Sequence, residues 1–126
     1  MEWTIFIFFL TLFLHIIADY LVQNDFLAKF KQKKNWEQYN ASGKYTHDYI
    51  AVLACHGFSW AFITFMPIIV YYKNSICFCV IVFINTIIHC FIDDLKCNKL
   101  RINLIQDQIF HVLQILLSVI IAERIS

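Results

Sequence analysis

His15, Asp19 and Gln23 recur at four-residue intervals at the end of an oily run, WTIFIFFLTLFL. On a helix of 3.6 residues per turn, that spacing stacks all three on one face. Two further His/Asp pairs follow at the same interval: His89 with Asp93 and, in reverse order, Asp107 with His111. His56 stands in an apolar stretch between them. Neutral imidazole together with carboxylate suits a divalent metal, zinc first, with manganese or iron as alternatives. A metal in an open site makes bound water a nucleophile near neutral pH. His15, Asp19, His56, His89, Asp93, Asp107 and His111 are the candidate ligands. They exceed one zinc's needs, so either two metals bind or some groups orient ligands and move protons. Asp19, Asp93 and Asp107 are the candidate catalytic carboxylates.

The elements that carry these residues are unusually apolar. Of 126 residues, 60% are hydrophobic, with two Gly and one Pro. A soluble domain of that size needs more charge on its surface. The pattern predicts an all-α integral membrane four-helix bundle, because spanning segments must satisfy their own backbone groups. A span takes about 20 apolar residues, and four candidates run over 3–23, 47–70, 75–95 and 103–122, one transmembrane domain over 1–126. Met1-Glu2-Trp3 lacks the basic start and small-residue cleavage site of a signal peptide, so the first run is read as a retained helix. The connection over 24–46 puts Phe26, Leu27 and Phe30 beside Lys29, Lys31, Lys33 and Lys34, which suits a short helix at the lipid surface. Tyr45, Tyr49, Tyr71 and Tyr72 suit interfacial aromatic belts. Five cysteines without a CxxC pair read as packing residues. The net charge of +1 is silent on nucleic acid, and the absence of a basic helix or aromatic-basic interleaving predicts no nucleic-acid partner.

Basic residues set the orientation. Lys29, Lys31, Lys33, Lys34 and Lys44 lie in the first connection, and Lys96, Lys99 and Arg101 at the third; the second has only Lys73. The positive-inside bias then predicts a multi-pass protein of the cytoplasmic (inner) membrane with both termini outside. That orientation brings His15, Asp19, His56, His89, Asp93, Asp107 and His111 to one depth near the cytoplasmic face. The reversed Asp107/His111 order is what the opposite direction of the fourth span requires. An isolated Asp at a helix centre costs about 2.5–3.5 kcal/mol on insertion scales. Three of them must be paired, hydrated or bound to a cation. A lone polar residue in such a bundle usually serves as interhelical glue; three pairs plus His56 at one depth favour a metal site. His47, nine residues before His56, belongs to the opposite helix face at the water boundary, and Asp48 and Glu37 read as solvated.

The motifs HIIADYLVQNDFLAKFK, ACHGF, NTIIHCFIDDLK and DQIFH together resemble domain of unknown function 3307, a family of small membrane proteins of bacteria and phages. AT-rich residue usage agrees with a low-GC bacterium or its phage. The resemblance adds Gln23, Asn85, Gln108 and Lys96 to the candidate site. The three amides fit as carboxylate orienters and Lys96 as an anion or phosphate clamp. The leading expectation is a metal-dependent hydrolase, acting from the cytoplasmic side on an amphiphilic or phosphorylated substrate drawn from membrane lipid. Two alternatives stand beside it: an ion- or proton-conducting protein, and a non-enzymatic, phage-encoded membrane effector. The outer halves IFIFFLTLFL and ICFCVIVFI are too apolar to form a pore in one subunit, which leaves a homo-oligomer as the route to one.

Overall fold

The computed structural model describes residues 2–39 and 42–125, all of whose regular elements are helical. Six α-helices follow in order: α1 (Glu2–Ile17), α2 (Asp25–Phe30), α3 (Asp48–Thr64), α4 (Met66–Tyr72), α5 (Ser75–Cys97) and α6 (Leu104–Ile125). Four segments are long and apolar enough to cross a membrane: Glu2–Val22, Asp48–Tyr72, Ser75–Cys97 and Leu104–Ile125. Expected and observed ends of these segments differ by three residues at most. The terminal residues Met1 and Ser126 lie outside the described residues, whereas their neighbours Glu2 and Ile125 share one end of the bundle, where Thr4 donates to Glu123.

Two of the four spans are not the uniform helices that periodicity predicts. The first ends in a five-residue π-helical stretch, Ala18–Val22, which contains Asp19. The second breaks at Phe65, because Pro67 in the first turn of α4 has no N–H to continue the ladder from α3. Local capping sets the other boundaries. Asn24 Oδ1 accepts from Leu27 N at 2.9 Å to start α2, and Asn74 Oδ1 accepts from Cys77 N at 3.0 Å to start α5. Before α6, Asn103 and Gln106 exchange backbone-to-side-chain bonds of 2.9 and 3.0 Å, a capping box.

Around the bundle, α1 packs on α3 and α6, and α5 packs on the same two, so α1 and α5 face each other across the centre. The closest approach is between α3 and α5, where a Cβ added to Gly57 would lie 2.4 Å from Cys90 Sγ. One half of the interior is apolar, with Ile7, Ala61, Phe65, Ile68, Ile115 and Val119 nearly or wholly buried. The other half, towards the two lysine-bearing connections, buries His15, His56, His89, Asp93, Asp107 and His111. Outside, Phe9, Phe83, Ile87, Phe91 and Leu117 are exposed. This inside-out pattern is what a lipid solvent requires and water penalises. Cys55 and Cys79 are on that outer shell, Cys77 is buried, and all five cysteines are free thiols.

The first connection folds back on itself. Phe30, at the end of α2, packs against Phe26 and Trp36 with ring centroids 5.0 Å apart, and Trp36 Nε1 donates to Phe30 O at 2.7 Å. Asn98, just past α5, clamps this connection to the bundle: its Oδ1 accepts from Lys33 N at 2.7 Å and its Nδ2 donates to Lys31 O at 3.3 Å. The clamp turns the Lys31 side chain inward.

Candidate functional site

Each of the four spans contributes an imidazole to one buried layer: His15 from α1, His56 from α3, His89 from α5 and His111 from α6. Trp60 is the hub of this layer. Its indole stacks on His89 at 4.0 Å between centroids, lies 5.3 Å from His111 and meets His15 edge-on at 5.4 Å. Trp60 Nε1 donates to His15 Nδ1 at 2.8 Å. An aromatic ring in an apolar run gives no sequence signal for such a role, which separates Trp60 from the readable His/Asp pairs.

The helical spacing places its pairs in contact. His15 Nδ1 lies 3.4 Å from Asp19 Oδ2, His89 Nε2 lies 3.8 Å from Asp93 Oδ2, and His111 Nε2 lies 3.4 Å from Asp107 Oδ1. Tertiary packing then joins them. His56 Nε2 is 3.1 Å from His89 Nε2, 3.3 Å from Asp93 Oδ2 and 3.8 Å from Asp19 Oδ1. Two groups bring three ligand atoms within 4.8 Å of one another: Asp19, His56 and His89, and His89, Asp93 and His111. His15 stands apart from both. Its Nδ1 accepts from Trp60, and its Nε2 lies 3.2 Å from Gln108 Oε1.

Two lysines enter this layer. Lys96 Nζ lies 2.6 Å from Asp107 Oδ2, so the cation expected to face an anionic substrate is engaged by a core carboxylate. Lys31 Nζ lies 2.6 Å from Asp93 Oδ2 and is buried, a correction to its reading as one of four surface lysines. The surface reading fails because Asn98 holds the backbone of Lys31 against α5, within reach of the interior. Gln23, oriented so that donors meet acceptors, takes a bond from Lys31 Nζ at 2.9 Å and donates to Asp19 O at 3.2 Å. Gln23, expected to orient a carboxylate, orients the lysine instead, since its bond to Asp19 is to the backbone carbonyl.

Of the other two amides, Gln108 is on α6 and Asn85 on α5. Gln108 Nε2 donates to Asp107 Oδ2 at 3.1 Å. Asn85 lies deeper, exchanging bonds with Ser118 at 2.9 and 3.2 Å, and its carbonyl accepts from Gln114 Nε2 at 2.9 Å. Gln114 and Ser118, unremarked in the sequence, extend the polar layer away from the lysines. Three buried polar atoms in it have no hydrogen-bond partner: His89 Nδ1, Asp107 Oδ1 and His111 Nε2. His47 is exposed, in keeping with an ordinary surface histidine.

Comparison with curated proteins and with solved structures finds no significant match. The family comparison does: over residues 7–125, nearly the whole length and including every residue of this polar layer, the chain matches the family described as protein of unknown function DUF3307, and it belongs to that family.

Proposed function

We propose that this is a multi-pass protein of the cytoplasmic membrane carrying an intramembrane divalent-metal centre at its cytoplasmic end, and that the centre hydrolyses an amphiphilic substrate. The observation that carries the reading is the convergence of donor atoms on His56 Nε2. Ligands bound tetrahedrally to zinc at about 2.0–2.1 Å stand about 3.3–3.4 Å from one another. The separations of 3.1 and 3.3 Å from His56 Nε2 to His89 Nε2 and Asp93 Oδ2 are close to that size, and Asp19 Oδ1 stands farther out at 3.8 Å.

Charge supports the same reading. Asp19, Asp93 and Asp107 bring three negative charges, and Lys31 and Lys96 bring two positive ones. The difference, one negative charge, belongs to Asp19, the one core carboxylate with no lysine beside it among the described contacts. An unpaired charge in a low-dielectric interior is unfavourable, and a divalent ion held there by Asp19, His56 and His89 would offset it. Bound there, such an ion would supply an activated water. The chain's own contribution is a proton acceptor beside it. Asp19 retains 14% side-chain exposure, so it meets both the buried imidazoles and the outside. Lys96 pairs with Asp107, and Lys31 with Asp93. The substrate is an amphiphile from the inner leaflet, since Asp19, the partly exposed member of the layer, lies beside the lysine-bearing first connection, joined to Lys31 through Gln23.

A second reading, proton or ion transfer, is favoured by one observation. From His111 the polar contacts continue through Gln114 and Asn85 to Ser118, towards the apolar half.

The test is metal content followed by hydrolysis. Protein purified in detergent is expected to carry zinc, manganese or iron, to lose it in His56→Ala, and to keep it in His47→Ala. In lipid nanodiscs it is expected to cleave phosphoester lipids only when metal-loaded. Protein that is metal-free and stays folded and active after chelation overturns the proposal.

A further inference from the structure

The hydrogen bonds around Asp107 have a fixed direction, because they begin at a group that can only donate. Trp60 Nε1–H has no acceptor capacity, so His15 Nδ1, at 2.8 Å, presents its lone pair. The proton of neutral His15 is then on Nε2, where it is donated to Gln108 Oε1 at 3.2 Å. With its oxygen so used, Gln108 turns its amide nitrogen to Asp107 Oδ2 at 3.1 Å. Lys96 Nζ donates to the same oxygen at 2.6 Å. Every donor converges on Oδ2, and Oδ1 is left bare and buried.

The same reasoning applies from the far side of α6. Gln114 Nε2 donates to Asn85 O at 2.9 Å, so Gln114 Oε1 is what faces His111 Nδ1, at 3.4 Å. His111 accordingly carries its proton on Nδ1 and a lone pair on Nε2. That lone pair points at the bare Asp107 Oδ1, 3.4 Å away, and neither atom has another partner. Asp107 and His111 are 1% and 0% exposed.

Two buried lone pairs facing each other repel, and a proton or a metal ion between them relieves the repulsion. A proton would draw the pair together, because an N–H donated to a carboxylate spans about 2.7–2.9 Å. A separation of 3.4 Å is instead close to the about 3.3 Å between two ligands of one metal. His111 also belongs to the group with His89 and Asp93, so further donors stand within 4.8 Å of one of its ring nitrogens.

We infer that Asp107 Oδ1 and His111 Nε2 form a second divalent-metal site, next to the one around His56, and that Trp60 and His15 are positioning residues for it. The inference rests on the metal reading proposed above. It takes His15 out of the ligand set, since both its nitrogens are engaged, and gives it the role of orienting Asp107 through Gln108.

The experiment counts zinc per chain in detergent-purified protein after equilibration with zinc and removal of excess. Wild type is expected to hold two zinc ions. Asp107→Asn and His111→Gln are each expected to hold one, and His56→Ala to hold the other one; should one of the first two fail to fold, its companion reads the same site. Trp60→Phe keeps a ring on His89 but has no donor. Its second-site affinity is expected to fall about 10- to 100-fold, and the 15N signal of His15 Nδ1 to shift from an unprotonated towards a protonated nitrogen. One zinc in wild type, lost in His56→Ala and kept in both Asp107→Asn and His111→Gln, overturns the second site while leaving the first metal standing. Absence of zinc from all of them overturns both. An unchanged His15 signal in Trp60→Phe overturns the positioning role.

Discussion

Lys31 Nζ lies 2.6 Å from Asp93 Oδ2 and is buried, although it comes from a connection and not from a span. The pair links the C-terminal end of α2 to the last turns of α5. It also supplies half of the positive charge that the three core carboxylates receive from lysine, the remainder coming from Lys96 on Asp107.

Removing one partner of a buried ion pair costs about 3–5 kcal/mol, because the other charge is left without compensation. Lys31→Met is therefore expected to lower the stability of chelated protein by that amount, read as a fall in melting temperature in detergent. Lys33→Met, whose side chain is exposed, is expected to change it by less than about 0.5 kcal/mol. Adding Asp93→Asn to Lys31→Met should restore part of the loss; simple additivity of the two substitutions would show that the pair is not coupled.

Gly57 permits the closest contact in the bundle. A Cβ there would lie 2.4 Å from Cys90 Sγ and 3.2 Å from the carbonyl oxygen of Thr86. Gly57→Ala is expected to destabilise the protein by about 1–3 kcal/mol through overpacking, despite alanine's better helix propensity. Cys90→Ala in the same chain removes the nearer clash and should recover part of the loss. A Gly57→Ala protein that melts at or above the wild-type temperature would mean α3 and α5 can separate freely.

Both lysine-bearing connections lie at the end of the bundle that holds the imidazole layer, and Lys73 lies at the other. In intact cells, a cysteine replacing Lys73 is expected to react with an impermeant maleimide above the background of the five native thiols. A cysteine replacing Lys33 should react only after permeabilisation. Labelling of the Lys33 position from outside would reverse the orientation, and with it the placing of the site at the cytoplasmic end.

The four apolar spans and the three His/Asp pairs were determined by the sequence alone, because both are statements of periodicity. Apolar runs of span length must be helical in lipid, and His and Asp four residues apart must share a face whatever the helix packs against. The Asn-x-x-Gln box before α6 was equally readable, being closed within four residues. The roles of Lys31, Trp60 and His15 were decided only by tertiary structure. Lys31 is one of four lysines within six residues, and nothing local distinguishes the one whose backbone Asn98 clamps to α5. Trp60 is one aromatic among many on α3, and its function comes from the three imidazoles that other helices bring around it. His15 reads as a ligand by its spacing from Asp19, yet Trp60 and Gln108, 45 and 93 residues away, take both its nitrogens. A ligand set depends on which lone pairs remain free, and that is settled by contacts between helices, where a periodicity within one helix has no say.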